Sequence, residues 1–337
     1  MAKKGTPGQR VAAFFLSFFA IGTGQFFLGH TRRGLAWLAF GVLGVPLAAA
    51  AIVIGGSGVI LLPMLVFVAA ALARPLSAFD TLTLTVTEEP RPRITWVALA
   101  FVGSLGLTVA APVFTRVFVL ESFKLPAGSM LPTLRVGDHI LVDKRSVSLH
   151  RGKLIVFEFP ENRAQDFVKR IVAVGGDRLE IRDHHPWING WEVPHCLVGH
   201  GSMPKGDAPG DWVGDMFVEY LDGAAYLTFV DPSEQAGSAG PWTVAPGEAF
   251  VLGDNRDHSY DSRKWFGGRG AGVRANSVRG EPFLVWLSVD PKGGYDAERT
   301  GLALTKLQLP PSLASLQPAL EHCLSTQPPR EATVPPR

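Results

Sequence analysis

The order of apolar and polar positions divides this chain into two chemically different halves. Residues 11–29 and 34–73 contain no Asp, Glu, Lys or Arg, and neither do residues 94–115. The second run is long enough for two helices of about 20 residues each. Gly55-Gly56-Ser57-Gly58 is its natural turn. Four apolar segments are therefore expected, over 11–29, 34–54, 58–79 and 94–115, with a polar connection ending Glu88-Glu89-Pro90-Arg91-Pro92-Arg93 before the last.

From about residue 120 the pattern shortens to β-branched and aromatic runs. Examples are His139–Val142, Lys153–Phe159, Phe167–Val174 and Phe283–Leu287, with turns at Gly137-Asp138, Gly176-Asp177 and Pro246-Gly247. The domain expectation follows: 1–93 a multi-span membrane region, 94–119 a transmembrane anchor, 120–290 a β-rich catalytic domain. Residues 291–337, rich in proline and poor in periodicity, are expected to be a weakly ordered tail.

Charge sets the orientation. With Arg91 and Arg93 cytoplasmic, the span at 94–115 delivers the β-rich domain to the extracytoplasmic (periplasmic) side. Gly55–Gly58 then lies outside and Arg32-Arg33 inside. A full crossing by the first segment would place Lys3, Lys4 and Arg10 outside, against the rule. Its centre, Gly22-Thr23-Gly24-Gln25, is a poor membrane-helix core, so a re-entrant or interfacial segment competes with a span. The N-terminus looks like a secretory signal but has no small-x-small cleavage site before a soluble region, and is read as retained.

Composition excludes more than it assigns. A formal net charge of +2 with no basic stripe argues against nucleic-acid partners. The 47% of hydrophobic residues concentrates in the N-terminal segments. The only two cysteines, Cys196 and Cys323, fit either a disulfide or two free thiols. His184, His185, His195, Cys196 and His200 match no strong metal spacing, and Trp187-Ile188-Asn189-Gly190-Trp191 reads as a β-hairpin turn in a variable insertion. No metal and no cofactor is expected.

Three blocks carry chemistry. In Pro126-Ala127-Gly128-Ser129-Met130, Gly128 allows a tight turn that presents the Ser129 hydroxyl and aims its backbone N–H at a developing oxyanion. In Asp166-Phe167-Val168-Lys169-Arg170, strand alternation puts Phe167 and Lys169 on one face. Apolar neighbours there favour the neutral amine, which can take the serine proton as a base. Leu252-Gly253-Asp254-Asn255-Arg256-Asp257-His258-Ser259-Tyr260-Asp261-Ser262-Arg263 is dense enough in turn-forming and charged residues to be a hydrogen-bonded loop that supports a site. The pattern points to a membrane-bound peptidase.

On these three ordered blocks, over about 94–290, the chain resembles the bacterial type I signal peptidases, membrane-bound Ser/Lys serine proteases that remove signal peptides from exported preproteins. The implied fold is membrane helices plus a mainly-β extracytoplasmic catalytic domain of the signal peptidase/LexA-like kind. The implied roles are Ser129 as nucleophile and Lys169 as general base, with Ser259 orienting the amine. Asp261 and Arg263 would form a supporting ion pair, and Gly253 would admit the backbone close to the site. Phe123, Leu125, Leu134, Phe167 and Val168 match positions lining shallow pockets for Ala-x-Ala substrates. The partners implied are preprotein signal peptides, membrane lipid and the secretion machinery, and the location is the cell (inner) membrane, multi-pass.

Two departures stand out. Ala127 occupies a position where Gram-negative relatives often carry a serine that helps bind the oxyanion, so backbone amides must serve. Gly267-Gly268-Arg269-Gly270-Ala271 looks like an insertion before Gly272-Val273. Gly24-Gln25-Phe26-Phe27-Leu28-Gly29 also resembles a small membrane module fused ahead of some bacterial proteins. The rival readings are a catalytically silent membrane scaffold or binding module for exported chains, a self-cleaving repressor-type Ser/Lys protease, and an assembly component with a dormant protease domain.

Overall fold

The computed structural model describes residues 6–55, 61–86, 94–145, 147–206, 209–234, 238–290 and 293–336. It forms two compact units, 1–120 and 121–337. The turn over 56–58, the charged residues over 88–93, and Lys3 and Lys4 lie outside the described residues.

The first unit is helical: α1 (Pro7–Phe19), α2 (Thr23–Phe27), α3 (Thr31–Gly55), α4 (Leu61–Thr83) and α5 (Ile94–Phe118). Thr6 and Gln9 cap α1 reciprocally, and Pro7 occupies its first turn, where a missing N–H costs nothing. The first apolar segment is not one helix. Gly22, at φ +84°, breaks it between α1 and α2. Its polar residues form a buried network in which Ser17 Oγ donates to Gln25 Oε1 at 2.7 Å and Gln25 Nε2 to Asp80 Oδ2 at 3.0 Å. Arg33 and Trp37 of α3 donate to the same carboxylate. The polar centre of this segment thus ties α1, α2, α3 and α4 together.

The expectation of several membrane spans needs correction. Among the described residues no helix is long and apolar enough to cross a membrane. The 13 residues of α1 rise only about 20 Å, short of the hydrocarbon thickness of ~30 Å. Helix α4 carries Arg74, Pro75 and Asp80 within its length.

The second unit is mainly β. Its strands are β1 (Leu120–Lys124), β2 (Asp138–Asp143), β3 (Leu154–Phe159), β4 (Asn162–Val174), β5 (Arg178–Arg182), β6 (His185–Ile188), β7 (Trp191–Glu192) and β8 (His195–Pro204). There follow β9 (Asp211–Leu221), β10 (Ala224–Val230), β11 (Ala239–Thr243), β12 (Glu248–Leu252), β13 (Val273–Arg274), β14 (Val278–Ser288) and β15 (Leu302–Ala303). Two helices, α6 (Trp265–Gly268) and α7 (Gln317–Ser325), complete it. The main sheet runs β1-β2-β14-β3-β4-β12-β13, with β15 beside β14, and smaller sheets run β10-β9-β8 and β11-β5-β6-β7. The turn between β6 and β7 uses Asn189 at φ +53° and Gly190 at φ +81°, a conformation these residues adopt cheaply.

β3 is central, and its alternate residues feed two cores. Leu154 and Val156 join Leu125, Leu134, Ile140 and Val142, whereas Ile155, Phe157 and Phe159 join Ile171, Val251 and Trp265. Because both faces are covered, β3 reads as a continuous apolar run, as the sequence shows. β4 shares this sheet, which fixes the register of its site residue: Lys169 pairs with Ile155.

The C-terminal segment departs from the weakly ordered tail expected. Leu309, Leu313 and Leu320 are buried against Val198, Met203, Met216 and Val218 of β8 and β9. Glycines at 199 and 201 make room, since a Cβ at Gly201 would come within 2.2 Å of Leu313. Cys196 and Cys323 form a disulfide across 127 positions. Proline density signals an absence of helix periodicity, but it says nothing about docking. Closing a loop this long removes about 5 kcal/mol of unfolded-chain freedom. Reduction is accordingly expected to lower the melting temperature and to expose the segment after Leu307 to limited proteolysis. An unchanged digestion pattern with reductant would contradict this clamp.

Candidate active site

Ser129 sits in the loop between β1 and β2, and Lys169 stands on β4 with 3% of its surface exposed. Lys169 Nζ is 2.7 Å from Ser129 Oγ. The two side chains the sequence singled out therefore meet across 40 positions. The amine also donates to the Val168 carbonyl at 3.0 Å and lies 5.4 Å from the Phe167 ring centroid. Burial lowers its pKa from 10.5 to about 8, helped by Arg263 and opposed by the Asp261 and Asp254 carboxylates. A lysine there has an appreciable neutral fraction near neutral pH.

The loop after β12 underlies this pair. Asp261 is fully buried and accepts from Gly253 N at 3.0 Å and from Arg263 Nε and NH2, both at 2.8 Å. Burial alone would raise the Asp261 pKa, but Arg263 and the Gly253 amide hold it below the ordinary value. Gly253 admits no side chain: a Cβ would fall 2.2 Å from Ser259 Oγ and 2.6 Å from the Ser129 carbonyl.

Three expectations are corrected here. Ser259 Oγ is buried without a hydrogen bond, so the contact expected between it and the Lys169 amine is not made. The Lys169 amine is oriented instead by Ser129 and the Val168 carbonyl. Leu134 is fully buried in the core behind the site and does not line the cleft. Gly128 is required by contact and not by its own turn, because a Cβ there would meet the Trp212 ring at 2.6 Å.

The cleft beside Ser129 has a volume of about 430 Å³. Phe123, Leu125, Phe167 and Val168, four of the five residues the resemblance implied, line it together with Ala127, Ile140 and Val156. Ala127 is exposed and brings no side-chain donor.

Several residues that build the site were not singled out. Arg170, next to Lys169 but facing away, binds Asp254 through two hydrogen bonds of 2.7 and 2.6 Å. Asp254 also accepts from Thr133 at 2.5 Å, and Asn255 Nδ2 donates to the Gly128 carbonyl at 3.1 Å. These contacts tie the third block to the serine loop. Strand alternation would have placed Arg170 opposite Lys169, yet nothing in the sequence names its partner. Trp212 and His258 also reach the cleft, and Trp212 gave no local signal at all.

The histidines considered for metal do not converge on one point. His184 contacts Asp257 at 2.8 Å, His185 stacks on His195, and His200 contacts Asp215 at 2.8 Å. Among the described residues no group of three or more potential ligands is placed to hold a metal ion.

Comparison with known proteins gives consistent matches. The family model described as signal peptidase, peptidase S26, matches residues 94–287, more than half of the 337-residue chain. Signal peptidase I of Pseudomonas aeruginosa is 31% identical over 207 residues, covering 52% of this chain and 68% of that protein. Signal peptidase I of Pseudomonas fluorescens is 33% identical over 196 residues, covering 51% and 66%. Signal peptidase I of Aquifex aeolicus is 28% identical over 228 residues, covering 55% and 82%.

Proposed function

We infer the activity from one premise: this chain belongs to the signal peptidase family, peptidase S26. It is a serine endopeptidase that removes signal peptides from preproteins. The observation that carries the residue assignment is the 2.7 Å contact between a buried lysine amine and the Ser129 hydroxyl.

In the proposed mechanism the neutral Lys169 amine accepts the proton of Ser129 as Oγ attacks the carbonyl carbon before the scissile bond. The Ser129 backbone N–H meets the oxyanion, Ala127 having no donor to offer. The Lys169 ammonium then protonates the departing amine of the mature chain, leaving an acyl-serine. A water molecule, deprotonated by the same amine, hydrolyses the ester. Asp261, Arg263 and Gly253 act by holding the loop beneath the dyad. The cleft walls at Phe123, Leu125, Phe167 and Val168 suit small side chains, which supports cleavage after Ala-x-Ala.

The location is part of the proposal. Disulfides persist in oxidising compartments, so the Cys196–Cys323 bond supports an extracytoplasmic catalytic domain. Helix α5 leaves Ile94, Leu99 and Val102 more than 60% exposed, which supports contact with lipid over water. The multi-pass arrangement is not part of the proposal, because no described helix is long and apolar enough to cross.

The test is incubation of the detergent-solubilised protein with an Ala-x-Ala preprotein, with Ser129→Ala as control. The active form is the neutral amine, so activity must rise with pH through the lysine pKa of about 8. kcat/KM is expected to increase about tenfold between about pH 7 and about pH 9 and then level off. A flat profile, or cleavage that survives in Ser129→Ala, would exclude the dyad.

A further inference from the structure

The cleft has a second wall for which the mechanism above names no occupant. Its apolar side comes from β1–β4 and packs into the main-sheet cores. Trp212 and His258 come from elsewhere. Trp212 stands on β9 and packs against the separate core beneath the C-terminal segment. Its ring stacks on the His258 imidazole with centroids 5.0 Å apart and planes 18° from parallel. The same ring closes over Gly128, where even a Cβ would come within 2.6 Å.

The pair is well supported. His258 Nε2 lies 3.3 Å from Asp231 Oδ2, and the Lys205 ammonium lies 6.0 Å from the centroid of the Trp212 ring. β9 is held between β8 and β10, and β8 is clamped to α7 by the disulfide. An aromatic shelf on a rigid support thus covers the residue immediately before the nucleophile.

A peptide cut at Ser129 has residues on both sides of the bond. Those before it occupy the apolar wall. Those after it, the start of the mature chain, need a surface beyond Ser129, and the shelf that covers Gly128, lining the cleft together with Tyr260 of the same loop as His258, can supply it. A flat aromatic face packs on peptide planes and side-chain stems with little demand on their identity. That tolerance suits an enzyme whose leaving chains differ from one another while its signal ends are alike.

We propose that Trp212 and His258 form the subsite for the first residues of the mature chain, making Trp212 a residue that binds the leaving chain with little regard to its sequence. The proposal rests on Ser129 being the nucleophile. It is tested with the full-length protein and two substrates sharing one signal-peptide end. One continues for several residues past the scissile bond, and the other ends there in a coumarin amide.

The quantity read is the ratio of kcat/KM for the extended substrate to that for the coumarin amide. Trp212→Ala lowers this ratio about tenfold, chiefly through the KM of the extended substrate, and His258→Ala lowers it about threefold. His258→Ala leaves the packing of Trp212 on Gly128 in place and carries the measurement if Trp212→Ala does not fold. Ratios within about twofold of the parent protein in the folded variants overturn the subsite. Failure of the parent to cut either substrate would instead count against the reading of Ser129 and Lys169, so the two failures are distinguishable.

Discussion

Replacing Lys169 with alanine is expected to lower kcat for preprotein cleavage by at least about 10³-fold while the chain stays folded. Among the described residues no base other than Lys169 Nζ, at 2.7 Å, lies at hydrogen-bond distance from Ser129 Oγ. An unassisted serine hydroxyl is a weak nucleophile, and the departing amine would lose its proton donor in the same substitution. KM should move little, because the cleft walls at Phe123, Phe167 and Val168 are untouched. Lys169→Arg should not rescue, since a guanidinium remains charged at any pH the protein survives. Steady-state kinetics with circular dichroism as the folding control decides the matter. Turnover within about tenfold of the parent protein would remove Lys169 from the chemistry.

The second large effect is on stability. Asp254→Ala is expected to destabilise the catalytic unit by about 3–5 kcal/mol, because it strands a buried guanidinium. Arg170 is 5% exposed and Asp254 fully buried, and their double hydrogen bond joins β4 to the loop after β12. Arg170 would keep the Gly152 carbonyl and the face of Tyr226, neither of which neutralises its charge. Thr133, in the loop that carries Ser129, would lose its acceptor as well. Activity should therefore fall together with the melting temperature. The double variant Arg170→Met/Asp254→Leu removes both charges and should recover much of the stability. Chemical denaturation measures this, and a loss below about 1 kcal/mol for Asp254→Ala would show that the pair does not hold the loop.

Much of the catalytic unit was legible before any coordinates. The runs 139–142, 153–159, 167–174 and 283–287 lie in β2, β3, β4 and β14. Their β-branched and aromatic residues, bounded by glycine turns, are a local signal, and local signals survive folding. Ser129 and Lys169 were legible as candidates for a different reason: neither block is distinctive alone, but the serine block, the lysine block and the loop over 252–263 occur in one order along the chain. The tail after residue 290 was misread because its burial depends on a partner. Leu309, Leu313 and Leu320 look sparse until β8 and β9 are placed beneath them.

By itself, then, the sequence determined the division into a helical and a β-rich half, the approximate positions of the main strands and the candidate pair Ser129 and Lys169. Each of these is encoded in residues near one another in the chain or in a compact motif. Only the tertiary structure decided that Ser259 does not contact the lysine, that Leu134 turns into the core, and that Cys196 pairs with Cys323. It alone brought Arg170 to Asp254 and Trp212 over Gly128. Those outcomes are contacts between segments far apart in sequence, and they are fixed by which surfaces close together when apolar side chains leave water, a result no local pattern contains.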